Sequence, residues 1–149
     1  MSTPPLKIAG QIRRVLNRSM LLEKRSMVHH EGLRLYPSEI HLLQVIREGG
    51  DPSAGEMAQR LGISNGAVSQ TLKRLEKKGA IHKTKDPALK NKLTATLTGT
   101  GEAALRRFED SREEARKAFS NYLAGLSARE GRVIEGFLDR LEQFLAKLA

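Results

Sequence analysis

The chain has no cysteine. A disulfide framework, a thiolate nucleophile and thiol redox sensing are therefore excluded, and any metal would have to be held by histidine and carboxylate. Aromatic residues are only 4% of the sequence, and Tyr36, Phe108, Phe119 and Tyr122 read as core packing before they read as a ligand pocket. No apolar run approaches the ~18 residues of a membrane span. The N-terminus, Met1-Ser2-Thr3-Pro4-Pro5, leads into a charged amphipathic stretch rather than a signal peptide. A cytoplasmic protein without a membrane partner is expected. Also missing are a Gly-rich phosphate loop, a Gly-x-Ser-x-Gly elbow and a histidine set beside a nucleophile and an orienting carboxylate. Neither an enzyme nor a cofactor-binding protein is expected.

What is present is basic charge, unevenly placed. The formal net charge is +9 over 149 residues, about the size of one domain. Residues 53–92 hold nine Lys or Arg (Arg60, Lys73, Arg74, Lys77, Lys78, Lys83, Lys85, Lys90, Lys92) against Glu56, Glu76 and Asp86, a net +6. A solvated lysine face would spread its charge more evenly; this concentration suits a polyanionic partner.

Apolar spacing divides the chain into mostly helical segments. From Leu6 to about His30, Ile8, Ile12, Val15, Leu16, Met20 and Met27 recur mostly at three- and four-residue intervals, predicting a long first helix. After Gly32, Pro37 can open a second, strongly apolar helix (Ile40, Leu42, Leu43, Val45, Ile46) that Gly49-Gly50 ends. Ser53 and Glu56 have the spacing of a capping box and predict a third helix over Ala54 to Leu61. Ser64 can cap a fourth, running through Lys78 and closed by Gly79. Beyond it, the segments around Ile81 to Lys85 and Leu93 to Leu97 flank Asp86-Pro87 and read as a β-hairpin with a basic tip. Thr98 can cap one further helix carrying Ala103, Ala104, Leu105, Phe108, Ala115, Phe119, Tyr122 and Leu123. A second capping box, Ser127 to Glu130, starts the last helix. The fold class expected is mainly α with a small β-hairpin, α+β in type.

The terminal helices are striped and need something to cover them. Ile8, Ile12 and Val15 in the first, and Val133, Phe137, Leu141, Phe144 and Leu145 in the last, are the candidate dimerisation residues, since isologous pairing is the commonest way to bury such faces. Packing of the same helices within one chain would serve the stripes as well.

The segment Gly55 to Gln70 is the informative one. Small Ala58 lets two helices cross closely, Gly62 permits the turn between them, Leu61 and Ile63 face inward, and Val68 locks the second helix on the first: a helix-turn-helix pattern. The N-terminal residues of the second helix come nearest base edges in a major groove. Ser64, Asn65, Gly66, Ser69 and Gln70 are the candidate readers there, with Lys73 and Arg74 aimed at phosphates. Lys77 and Lys78 suit DNA contact and the negative helix C-terminus equally, and Ser64 can be a cap alone. In the hairpin, Lys83, Lys85, Lys90 and Lys92 are candidate contacts, although lysines also protect exposed strand edges. Double-stranded DNA is the expected partner; a winged-helix module that binds protein without reading DNA is the alternative.

The order of parts resembles the MarR family of regulators. The likeness rests on the long first helix, on Leu35-Tyr36-Pro37-Ser38-Glu39, Leu61-Gly62-Ile63-Ser64, Leu75-Glu76-Lys77-Lys78-Gly79 and Leu97-Thr98-Gly99-Thr100-Gly101. It implies one domain over 1–149, with 1–32 and 100–149 as dimerisation helices and 35–98 as the winged helix-turn-helix, the recognition helix at about 64–78 and the wing at about 80–97. It also implies a homodimer on a pseudo-palindromic operator, acting as a repressor relieved by a small-molecule effector whose site residues are not assigned. Family wings commonly read Asp-Pro-x-Asp-Arg-Arg, whereas here the stretch is Asp86-Pro87-Ala88-Leu89-Lys90-Asn91. Lysine lacks the planar fork of arginine, so weaker minor-groove readout is expected.

Some MarR-like proteins are metal sensors, which makes a zinc-responsive regulator of the same fold a second alternative. His29, His30 and His41, with Glu23, Glu31 and Glu39 nearby, do not have the spacing of a tetrahedral shell, and no metal site is assigned.

Overall fold

The computed structural model describes residues 5–25, 27–89 and 92–148. They form two compact units, 1–109 and 110–149, taken in turn. The architecture is mainly helical with an antiparallel hairpin after the fourth helix, as the spacing predicts, and a second, unexpected one after the first helix.

The first unit begins with α1 (Pro5–Arg25), which buries none of its residues. A short ribbon follows, β1 (Val28–His30) paired antiparallel with β2 (Leu33–Leu35). This corrects the expected helix through His30: the chain leaves the helix at Arg25 and becomes extended. The tight turn at Glu31-Gly32, both at positive φ, sends Leu33 and Leu35 into the core beside Val28. Then come α2 (Pro37–Arg47), α3 (Ala54–Leu61) and α4 (Asn65–Lys77). Strands β3 (Ile81–Asp86) and β4 (Lys92–Leu97) pair antiparallel across a short 3-10 turn, Pro87–Leu89, and α5 (Gly99–Asp110) follows.

One core joins these pieces. Leu35, Ile40, Leu42, Leu43, Val68, Leu75, Ile81 and Leu105 are fully buried in it, with Met57, Ala58 and Leu72 close to that. The apolar helix between Pro37 and Gly49 is thus central, as its composition requires. In the hairpin, Ile81 lies opposite Leu97 and Thr84 opposite Thr94, whose hydroxyls are 2.7 Å apart.

The second unit is α6 (Glu113–Ala124) and α7 (Ala128–Ala146). A single helix from Thr98 to Leu123 is expected from the sequence, but the chain breaks at Ser111-Arg112. Residues 109–114 read Glu-Asp-Ser-Arg-Glu-Glu, with no apolar side chain to carry a buried stripe across, and the acids Glu113 and Glu114 favour a fresh helix N-terminus. Ser127 accepts from the Glu130 amide and caps α7 as its spacing predicts. Phe119 stacks on Tyr122 at 6.1 Å, and Val133, Phe137, Phe144 and Leu145 lie exposed along α7.

Candidate nucleic-acid interface

The turn between α3 and α4 is built by local chemistry. Ser53 accepts from the Glu56 amide while the Glu56 carboxylate accepts from the Ser53 amide, a reciprocal cap for α3. Gly62 ends α3 at φ 64, a left-handed conformation that suits glycine. The Ile63 amide then donates to the Ala58 carbonyl at 3.0 Å, closing the turn on the small residue that lets the helices cross. Ile63 itself is 41% exposed, which corrects its expected inward position; Leu61 packs against the core beside it.

Ser64 caps α4 by accepting from the Ala67 amide at 3.2 Å. The helix buries Val68, Thr71, Leu72 and Leu75 and turns the other side outward. That outward side carries Asn65, Gly66, Ser69, Gln70, Lys73 and Lys77, spaced along one exposed face. A Cβ on Gly66 would meet nothing nearer than the Ser64 hydroxyl at 3.9 Å, so the surface there is open to close approach. The structure thus brings all five candidate readers, Ser64, Asn65, Gly66, Ser69 and Gln70, to one exposed end of one helix.

The cations divide into two groups. Lys73, Lys77 and Lys85 are exposed, with no hydrogen bond or ion pair among the described residues. Arg74, by contrast, donates to the Thr71 hydroxyl at 2.9 Å and approaches Glu39 at 3.5 Å. Lys83 pairs with Glu76 at 2.7 Å across the α4–β3 corner. Lys78 is turned inward altogether: its ammonium donates to both Glu39 oxygens at 2.7 and 2.8 Å and to the Arg34 carbonyl at 2.8 Å. Lys90 lies outside the described residues, as does the side chain of Lys92.

Glu39 is the residue that sequence reasoning missed here. It is fully buried on the apolar side of α2, between Pro37 and Ile40. A carboxylate in such a stripe needs a cation and hydrogen-bond donors, because an unpaired buried charge is costly. That signal was readable: a lone acid within a run of core positions calls for a basic partner, and Lys78 with Arg74 supply it.

Among the described residues, no three His, Asp or Glu side chains gather as they would around a metal. His41 sits 3.2 Å from the Gln44 side chain and meets the Phe108 ring edge-on. No helix of the described residues is long and apolar enough to cross a membrane.

Residues 35–88 match the model of the MarR family. Over 70 residues the chain is 33% identical to the uncharacterized HTH-type transcriptional regulator YcgE of Bacillus subtilis, a match covering 44% of this chain and 46% of the relative, so it spans less than half of that relative's length. Among solved structures, adhesin competence repressor AdcR of Streptococcus pyogenes is similar with a TM-score of 0.70 at 18% identity, over 93% of this chain and 97% of that one. FabT of Streptococcus pneumoniae, determined in complex with DNA, is similar with a TM-score of 0.64 at 21% identity, over 97% of this chain and 99% of that one. These likenesses establish a shared fold over nearly the whole chain.

Proposed function

We propose that the chain is a MarR-family regulator, the family whose model matches residues 35–88, and that it is a homodimeric, sequence-specific repressor of transcription, released from its operator by a small-molecule effector. The carrying observation is the outward face of α4, where Asn65, Ser69 and Gln70 stand free of the core beside the exposed Lys73 and Lys77. Short and amide-bearing side chains at the start of a helix can pair with base edges in the major groove. The lysines behind them, and Lys85 on β3, are positioned for phosphates. FabT's complex with DNA supports the same use of a shared fold.

Dimer formation is supported by the faces left uncovered. Val15, Val133, Phe137 and Phe144 are between 41% and 67% exposed, which is unusual for large apolar side chains and matches what a second copy would cover. Ile8 and Leu145 are exposed to a lesser degree, and Ile12 and Leu141 are half-buried along the same helices. Effector release rests on the family resemblance, and no residue is assigned to it.

The test is a salt-titrated affinity comparison between a duplex enriched from a random-sequence library by the protein and a scrambled version of it. With Lys73, Lys77 and Lys85 presented twice by a dimer, the logarithm of affinity should fall against the logarithm of salt with a slope of about −5. A hundredfold or greater preference for the enriched duplex is expected for specific readout. Equal binding to both duplexes would leave a non-specific binder, and no binding at low salt would favour the protein-interaction alternative.

A further inference from the structure

The ammonium of Lys78 has three N–H donors, and all three are engaged internally: two by the Glu39 carboxylate and one by the Arg34 carbonyl. The Tyr36 ring lies over the same nitrogen at 5.0 Å, so another side of the charge faces aromatic carbon. Glu39 is equally committed. One of its oxygens also accepts from the Tyr36 amide at 2.9 Å, which fixes the carboxylate at the first turn of α2, and the other lies 3.5 Å from Arg74. The last turns of α4 are thereby fastened to the start of α2 through one buried carboxylate. Nothing in reading a base or a phosphate uses this cluster, yet it lies on the helix that presents the readers.

The opposite side of the same corner is held as well. Thr98 donates its hydroxyl to the Gly79 carbonyl at 2.6 Å and its amide to the Ala80 carbonyl at 3.0 Å. Gly101, the third residue of α5, passes so close to Ala80 that a Cβ would overlap the Ala80 carbonyl. That side is fixed by backbone contact, and the Glu39 cluster adds a polar tie at the same C-terminal end of α4.

We propose that Glu39 is a positioning residue that sets the pose of α4, and so of Asn65, Ser69 and Gln70, by holding Lys78, and that Lys78 is withdrawn from nucleic acid. The proposal rests on the reading of α4 as a recognition helix. It separates two roles that a basic residue near a helix end can play. A phosphate contact contributes to affinity for every sequence and to the salt dependence. A positioning contact contributes to the difference between the right sequence and the wrong one, and leaves the salt dependence alone.

The experiment uses the full chain, the library-enriched duplex and its scrambled version, with wild type, Glu39→Gln and the double variant Glu39→Met with Lys78→Met. The amide keeps the volume of Glu39 and weakens its hold on Lys78. The double variant replaces a buried pair with apolar side chains, a change cores often tolerate, so it decides the matter if the single variant does not fold. Both variants are expected to lose about tenfold of the preference for the enriched duplex, the size of one missing base contact. Affinity for the scrambled duplex and the salt slope are expected to stay at wild-type values. Retained preference would overturn the proposal, and so would a slope in the double variant shallower by about 1.8, the value expected when each protomer of a dimer gives up one phosphate. If the wild type enriches no sequence, the regulator reading fails on its own. Amide exchange across residues 74–80 then judges the lock separately: faster exchange in Glu39→Gln supports it, and unchanged exchange overturns it.

Discussion

Gly101 lies where the first turn of α5 passes Ala80, between α4 and β3, and its missing side chain is what allows that close approach. The obstacle a Cβ would meet is backbone, the Ala80 carbonyl, which cannot swing aside as a long side chain would. Gly101→Ala should therefore destabilise the first unit by about 1–3 kcal/mol despite the better helix propensity of alanine, because overpacking at a rigid contact outweighs it. Denaturant midpoints at an unchanged m-value would show this; a midpoint equal to wild type would mean that α5 can move away at no cost. Gly101 appears in the sequence only as part of Leu97-Thr98-Gly99-Thr100-Gly101, and a glycine required by a distant carbonyl leaves no local mark.

Helix ends were the elements most legible in advance, because capping is local. Ser53, Ser64, Thr98 and Ser127 each cap the helix their spacing assigns to them. In α7 the cap is also a titrating device. The Ser127 hydroxyl, then its amide, donates to the Glu130 carboxylate and holds it below the usual carboxylate range. A carboxyl depressed in the folded state stabilises it above the ordinary value of about 4.3 and loses that contribution as pH falls through the lowered one. The carboxyl carbon of Glu130, followed by NMR, should titrate below other exposed glutamates and move toward them in Ser127→Ala; coincident midpoints would remove the effect. What was not legible locally were the breaks made by tertiary context. A periodic stripe does not say where it stops having a partner, so the extended turn after Arg25 and the interruption at Ser111-Arg112 both escaped a count of apolar spacing. The pairing of Glu39 with Lys78 escaped it for the same reason, since 39 residues separate them.

Across the whole chain, charge and apolar surface are sorted by region. Residues 93–149 hold nine Lys or Arg and nine Asp or Glu, so the positive excess lies elsewhere, chiefly over 53–92. The C-terminal stretch is instead marked by exposed apolar side chains on α6 and α7. If the proposed homodimer pairs through this face, Phe137→Asp should shift the protein from dimer to monomer in sedimentation and lower affinity for the enriched duplex by about tenfold or more, since one protomer then reads only half of a two-fold site. A dimer that survives the change would place the interface on another face. The fold class and the presentation of the readers could be inferred from patterns; which cations face a partner could not, because that depends on where the acids end up.

The corner where α4 meets β3 has mechanical meaning of its own. Carboxylate, ammonium, threonine hydroxyl and a bare glycine converge on the few residues from Lys78 to Ala80, so α2, α4, β3 and the start of α5 share one joint. These contacts tie the end of α4 to the start of the hairpin on both sides. In the proposed regulator, an effector that releases DNA would have to move α4 and the following hairpin together, as a door moves on its frame.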